Sequence, residues 1–419
     1  MPPPRIERLF TAIDVGTAKV AVLIAGQSAD GTLHALGTGL RESMGVKRGY
    51  VIDIQAVDRC VRDALEQAER IAETEVQQAW ISFSGDSLTS RTVTHADPFS
   101  REQIEPDDVD ELHVRARAGV LRDDRAILHA QPTYYMLDGH QCTANPIGLF
   151  AGRLGVSIHV VEADRGPVSN LVTAVRAAHV DIREVVASMM AAGLSTLSEE
   201  QRDIGTALVD IGASLTNVGL FAGGKLVGLA TITAGGIDIT DDIASEFGIK
   251  RSIAERQKCF YGSAISSPRD HQDQLDIGGD GGSDDNGGHS PKITRAQLNA
   301  VIRKRLDHFI PQIGKLLGEM GDGGPTQRQM VLTGGTCELK GMADYIQSVL
   351  GGSAKLARPH GIAGLPPAHQ SLAFSTAVGL VLYAADPPLD IRPKGDEEAH
   401  NSGPQRWWRR MVDMWNRQK

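Results

Sequence analysis

Asp14 and Asp210 each close a short apolar run and open a glycine-bearing turn, in the stretches TAIDVGTAKVAVLIA from Thr11 and ALVDIGASLTNVGLFAGG from Ala207. A carboxylate beside several backbone N–H groups at a tight turn suits a polyphosphate with a bound, hydrated divalent cation: the carboxylate meets the cation and the N–H groups meet phosphate oxygens. In the first turn Gly16, Thr17, Ala18 and Lys19 would supply backbone donors, and the Lys19 side chain a contact to phosphate. Gly212, Ala213 and Ser214 occupy the second turn. A third stretch, VLTGGTCELKGM over residues 331–342, runs from a strand into Gly334 and Gly335 and then a helix. Without a Cβ, those two glycines let the backbone approach a nucleotide closely. Thr333 and Thr336 either cap the turn that follows or touch the ligand. One such aspartate turn is an ordinary hairpin signal. Two of them joined to a strand–Gly–Gly–helix unit point to two similar halves closing on one nucleotide.

The elements that must position these turns follow from the periodicity. Residues 6–26 read as two strands around the Asp14 turn, with another strand over His34 to Leu40. Small or apolar residues at Val57, Val61, Leu65, Ala68 and Ile71 predict a helix over 54–73, and Gln78 to Ser84 returns to strand. Residues 85–161 change composition and read as an inserted α+β subdomain, with hairpins, a helix starting at Glu105-Pro106 and a rigid turn at Asn145-Pro146. Helices are expected over Ser169 to Ala178 and Val185 to Gly193, and the polar run 198–203 separates the halves. After the second aspartate turn come a β segment from Thr231 to Gly236 and a helix from Asp238 to Phe247. Residues 266–291, rich in Gly, Asp, Ser and Pro, predict a disordered loop. A helix from Arg295 to about Leu317 is expected to break or bend at Pro311. The strand Gln329 to Thr333, a helix from Met342 to Leu350 and another from Ala373 to Ala385 complete the body, and 387–404 read as a linker.

Composition narrows the classes. A chain of 419 residues is long enough for two or more domains, and its formal net charge of −9 argues against a dedicated nucleic-acid binder. Cys60, Cys142, Cys259 and Cys337 are widely spaced and show no paired metal-ligand pattern, so they read as reduced thiols, and no histidine has metal-ligand spacing. The opening MPPPRIERLF lacks the apolar core of a signal peptide, which leads to the expectation of a cytoplasmic chain.

Residues 405–419 differ from the rest. Trp408, Met411, Val412 and Trp415 recur at helical spacing with Trp407 and Met414 beside them, while Arg406, Arg409, Arg410, Arg417 and Lys419 outnumber Asp413. A tethered helix with one basic and one aromatic face suits the plane of an anionic bilayer, although docking on the body or on a partner is the alternative. Arg295 and Arg303, with Lys304 and Arg305, form a basic stripe that is either a solvated face or a groove for an acidic peptide.

Taken together the three nucleotide stretches resemble the actin, Hsp70 and sugar-kinase superfamily. The order of GYVIDI from Gly49, Ser84-Gly85, the Asn145-to-Leu149 loop, Thr233 to Gly236, Ala254 to Lys258, the VLTGG run and the amphipathic end most resembles the bacterial cell-division family FtsA. The resemblance implies an α/β actin-like ATPase fold of duplicated, ribonuclease H-like halves. Subdomain 1A would span 1–84, completed by 162–204 and 366–386, and the inserted 1C, 85–161, would stand in place of the actin 1B subdomain. Subdomain 2A would span 205–235 with 307–365, and 2B residues 236–306. It further implies ATP and Mg²⁺ as ligands, with Gly236 and the Glu255–Lys258 pair near the nucleotide. It implies filaments, binding of the C-terminal peptide of the tubulin-like FtsZ through 2B, recruitment of later division proteins, and a peripheral place on the inner membrane at the division site.

One departure bears on chemistry. Many relatives read D-I-G-G-G-T at the second turn with an Asp two residues later, whereas here Ala213, Ser214, Leu215 and Asn217 take those places. Fewer polar groups then remain to hold a cation and an attacking water, so the expectation is nucleotide binding with weak or no hydrolysis. The competing readings are a PilM-like component of type IV pilus assembly and a sugar or metabolite kinase.

Overall fold

The runs on either side of Asp14 fold back on each other because both are apolar and a glycine turn joins them. The computed structural model describes residues 5–99, 103–278, 292–321 and 329–392. Strand β1 (Ile6–Val15) pairs antiparallel with β2 (Lys19–Ser28), with Asp14 opposite Ala21, and β3 (Leu33–Glu42) extends the meander. A short hairpin of β4 (Val46–Lys47) and β5 (Tyr50–Val51) leads into α1 (Ile54–Ala72), whose N-cap Asp53 accepts the Ala56 N–H. The stripe Val57, Val61, Ala64, Leu65 and Ala68 buries that helix against the sheet. β6 (Gln78–Phe83) then enters beside β1, parallel to it.

The inserted subdomain begins here. It comprises β7 (Thr89–Pro98), α2 (Pro106–Val120), β8 (Arg125–Leu137), β9 (His140–Thr143) and β10 (Arg153–Asp164), in an antiparallel sheet of order β7-β10-β8-β9. Its own small core gathers Val109, Leu112, Ala116, Val156, Ile158 and Val160 between helix and sheet. The chain returns to the body through α3 (Arg165–Ala177) and β11 (Asp181–Ala187), which pairs parallel with β6 and gives the first sheet the order β11-β6-β1-β2-β3. That pairing keeps Val185–Ala187 extended, so α4 starts only at Ser188 and runs to Thr196. The polar run then forms α5 (Glu199–Ile204), closed by a Ser198–Gln201 capping box.

A second sheet is built from β12 (Thr206–Ile211), β13 (Thr216–Ala222) and β14 (Lys225–Ile232) as an antiparallel meander. The β segment therefore ends where sequence periodicity starts it, because the Gly223-Gly224 turn reverses the chain earlier. Helices α6 (Gly236–Phe247) and α7 (Arg251–Tyr261), the pair β15 (Gln274–Asp276) and β16 (Lys292–Thr294), and α8 (Arg295–Met320) lie between β14 and β17 (Gln329–Thr333). After α9 (Met342–Leu350), β18 (Ser353–Leu356) completes the order β14-β13-β12-β17-β18, and α10 (Ser375–Ala385) crosses back onto α4. Each large sheet is thus mixed, with a three-strand meander on one side and two parallel strands on the other.

Three expectations are corrected. The expected break at Pro311 is absent, since α8 runs through it with Phe309, Ile310 and Ile313 fully buried around the proline. Residues 266–278 are not a disordered loop: Ser267 caps a 3-10 turn at Pro268–His271, Asn299 donates to Asp270, and β15 pairs with β16. Nor is the start of the linker free, because Leu389 and Ile391 pack onto the core of the inserted subdomain. Residues 279–291, the linker from 393 and the whole terminal helix, with Trp407, Trp408, Arg409, Arg410, Met411, Val412, Met414 and Trp415, lie outside the described residues. Among the described residues no helix is long and apolar enough to cross a membrane.

Candidate functional site: a cleft between two aspartate turns

The two turns have the same local geometry. Gly16 N–H donates to the Lys19 carbonyl at 2.9 Å, and Gly212 N–H donates to the Leu215 carbonyl at 2.9 Å. Each bond closes the hairpin behind its aspartate, so one predicted backbone donor in each turn is spent on the turn itself. The turns face one another, with the Thr17 and Ser214 hydroxyls hydrogen-bonded at 2.7 Å. Asp14 accepts from the Ser82 hydroxyl at 2.5 Å, so the end of β6 orients the first carboxylate.

Burial decides the electrostatics of this pair. Desolvation raises Asp14 above its ordinary value, against the opposing pull of Ser82 and Lys19. Asp210 is pushed up to about 7 by burial and by the charge of Asp14, with Lys19 acting the other way. Two desolvated carboxylates competing for one nearby cation are short of positive charge. Lys19 is that cation, and its ammonium donates to the Ala373 carbonyl and stands 4.0 Å from the centre of the Phe374 ring. Burial lowers its pKa, while Asp14, Glu338 and Asp210 hold it up.

The third stretch closes on the second turn. Gly334 has φ of 90°, and a Cβ there would lie 2.3 Å from Asp210 Oδ1, so no other residue fits so near the carboxylate. Thr336 donates its hydroxyl to the Gly212 carbonyl at 2.7 Å, which ties the third stretch to the second aspartate turn. Gly335 starts the 3-10 turn Gly335–Glu338. The first N–H groups of α6 are also taken, Gly236 by Gly212 O at 3.1 Å and Ile237 by Ala213 O at 2.6 Å. The helix N-terminus therefore braces the turn and is not an open anion site.

Glu255 and Lys258 sit beside it on α7. The Lys258 ammonium donates to Gly236 O and Thr240 Oγ1 at 2.9 Å each and to Glu255 Oε2 at 2.8 Å, which satisfies all three of its protons. Burial works against the Glu255 carboxylate, but Lys258, Thr240 and Cys259 outweigh it and hold the group below the usual range. A pocket of about 250 Å³ opens next to this pair, lined by Cys259, Phe260, Glu338 and Lys340 among others.

Several contacts across the cleft carried no sequence signal. Arg48, at φ of 50° in the β4–β5 turn, donates to Thr233 O at 2.7 Å and pairs with Asp238 at 3.1 Å. Asn217 donates to Ser84 Oγ and accepts from Thr231 Oγ1, both at 2.9 Å. The amide that replaces the carboxylate of many relatives is thus used at both ends, and Leu215 fills the space beside Gly49. Arg295 is paired with Asp273 at 2.8 Å, while Arg303 donates to Ser266 at 3.1 Å and Arg305 is held by Asp242. Among the described residues no group of three or more His, Cys, Asp or Glu could hold a metal ion alone.

Over 403 residues the sequence is 31% identical to the cell division protein FtsA of Rhizobium meliloti (strain 1021), covering 94% of this chain and 91% of that one. The chain belongs to the FtsA family. The FtsA of Escherichia coli (strain K12) is 29% identical, over 91% of this chain and 92% of its own. The family model for cell division protein FtsA matches residues 207–379, and that for the SHS2 domain inserted in FtsA matches residues 85–162. FtsA proteins belong to the actin, Hsp70 and sugar-kinase superfamily, and the mixed sheets with an inserted α+β subdomain fit an actin-like ATPase architecture. Among solved structures, the PilM–PilN type IV pilus biogenesis complex aligns over 92% of this chain with a TM-score of 0.64 at 18% identity. MreB5 of Spiroplasma citri bound to ADP aligns over 90% with a TM-score of 0.53 at 14% identity. Likeness at this identity speaks for the fold alone.

Proposed function

We propose that this FtsA-family cell-division protein binds ATP with magnesium between the Asp14 and Asp210 turns and tethers the FtsZ ring to the inner face of the cytoplasmic membrane. One observation carries the nucleotide half of this reading: two aspartate hairpins of equal geometry and a glycine turn meet at one cleft in a member of this family. The equal strand order of the two large sheets supports related halves hinged around that cleft. Magnesium fits the donor set, since two oxygen ligands and retained water suit it and the crowded carboxylates lack positive charge. Gly16, Thr17 and Lys19 would face phosphate from one side, and Gly212, Ala213 and Ser214 from the other. Gly334, Gly335, Thr336, Gly236, Glu255 and Lys258 would enclose the nucleoside end. To admit phosphate, the Thr17–Ser214 bond has to part.

Turnover is expected to be slow or nil. Asn217 is neutral and bonded at both ends, so it is no base for water, and the remaining carboxylates are the proposed cation ligands. The same feature weighs against a metabolite kinase.

The membrane half rests on the basic, tryptophan-rich residues 405–419. The partner half rests on family membership, with Arg303, whose neutral partner leaves its charge available to an acidic FtsZ tail, ahead of Arg295, which Asp273 already neutralises. Filaments and later division proteins complete the proposed partners. The test is sedimentation of the full chain, and of a chain ending at Pro404, with vesicles of anionic lipid in Mg²⁺ and ATP. The tether reading requires binding that depends on the tail and weakens on neutral lipid; equal recovery of both chains in the supernatant contradicts it.

A further inference from the structure

The sheet of the inserted subdomain turns a polar face toward the body. His129 and Gln131 lie on one face of β8, and His159 stands opposite Gln131 in the register, two residues from Ser157 on the same face of β10. His129 Nε2 accepts the N–H of Ala187 at 3.0 Å, and its ring meets the edge of Tyr383 on α10, so this face abuts the body. All four side chains are buried, as is Ser188 on the body side. Among the described residues, Gln131 Nε2, Ser157 Oγ, Ser188 Oγ and both ring nitrogens of His159 lack a hydrogen-bond partner. Buried polar atoms without partners disfavour the packing that buries them. Leu128, Val161 and Ala163 pack into the core of the body, and Lys225 donates to Pro132 O, but these contacts lie beside the unpartnered polar patch and do not satisfy it.

Residues 387–392 lie across that junction. Leaving α10, the chain runs along the part of β8 that β9 does not cover: Ile391 N–H donates to Ala130 O at 2.8 Å, and Ala130 N–H donates to Asp390 Oδ1 at 3.1 Å. Arg117 of α2 donates to Ile391 O at 2.7 Å, and the Ile391 side chain is 1% exposed in the core of the inserted subdomain. Arg392 reaches both ways, donating to Leu128 O on β8 and pairing with Glu184 on β11 of the body. Glu184 is held in turn by the Tyr383 hydroxyl at 2.6 Å.

We infer that residues 387–392 are a strap that helps to hold the inserted subdomain docked on the body across an interface that includes an unsatisfied polar patch, so that loosening the strap loosens the subdomain while the rest of the fold stays intact. Because the chain continues from Arg392 into residues 393–419, the docking of the subdomain and the departure point of the tail form one mechanical unit. The inference uses no property of the nucleotide cleft or of membranes, and its failure would leave the proposed function untouched.

The experiment is hydrogen–deuterium exchange by mass spectrometry on the full chain and its Arg392→Ala, Ile391→Ala and Arg392→Lys variants. The strap predicts that the two alanine variants exchange about tenfold faster or more in peptides spanning β8 and at Ala187, whose N–H bonds His129, with α1 and β12–β13 unchanged. Arg392→Lys, which keeps the charge facing Glu184, should fall near wild type. Unchanged exchange in β8 overturns the inference, because the strap would then hold nothing. Acceleration spread equally over α1 and β12–β13 also overturns it, because the segment would then be ordinary core.

Discussion

The Thr17 and Ser214 hydroxyls, 197 residues apart in the chain, share a hydrogen bond of 2.7 Å that joins the two aspartate turns directly. A neutral bond of this kind contributes about 1 kcal/mol net. In a double-mutant cycle in urea, Thr17→Val and Ser214→Ala should each cost about 1 kcal/mol, and together little more than one alone, with a coupling of roughly 0.5–1 kcal/mol. Strict additivity would mean that the turns do not support one another.

Asn217 stands directly opposite Asp210 in the β12–β13 register. Asn217→Asp would set a second carboxylate beside one that is already pushed up to about 7, and like charges opposite each other destabilise a sheet. Denaturant melts at pH 8 should show a loss of about 1–3 kcal/mol, shrinking toward pH 5 as one of the pair takes up a proton. A loss that is equal at both pH values would point to shape and not charge.

Lys258 satisfies three acceptors at once, so Lys258→Met strands a carboxylate, a carbonyl and a hydroxyl. The Glu255 side chain is 48% exposed, which lets water relieve part of the loss. A cost of about 1–3 kcal/mol is expected, against nearly none for Lys304→Met on the exposed face of α8. Equal effects of the two substitutions would contradict this assignment.

The buried histidines set an acid limit on stability. Burial lowers both His113 and His159 to about 4 from the ordinary 6.5, and His129 is lowered as well. Between those values the unfolded chain binds more protons than the folded one, so stability is complete above about 6.5 and falls as the pH drops toward 4. At pH 4 His159 alone accounts for roughly 3 kcal/mol, and His159→Gln should flatten the decline measurably. A variant with an unchanged pH slope would show that this histidine is not buried in its neutral form.

Much of the cleft was legible because its signals are local. Asp14, Asp210 and Gly334 each end an apolar strand at a glycine, and strand alternation together with the need for a positive φ leaves a mark in neighbouring residues. Lys19 was legible as a member of the turn but not in its partner, since Ala373 and Phe374 approach it only in the folded chain. Arg48 and Asp238, and Asn217 with Ser84, were invisible for the same reason. Composition misled at two segments. Pro387 and Pro388 mark a linker, yet Ile391 is buried in the inserted subdomain and Arg392 pairs with Glu184. The run 279–291 gave the whole of 266–291 its loop-like composition, although Ser267, Asp270 and Leu275 carry ordinary capping and core signals.

The central claim is that Mg²⁺ and ATP enter between the two aspartate turns. Isothermal titration of the full chain with ATP, with and without Mg²⁺, measures it directly, alongside Asp210→Asn and Gly334→Val. The account predicts binding that Mg²⁺ strengthens in the wild type, loss of that Mg²⁺ dependence in Asp210→Asn, and loss of binding in Gly334→Val, whose side chain would fill the space beside Asp210. Binding of equal strength in all three proteins, or none to the wild type, would contradict it.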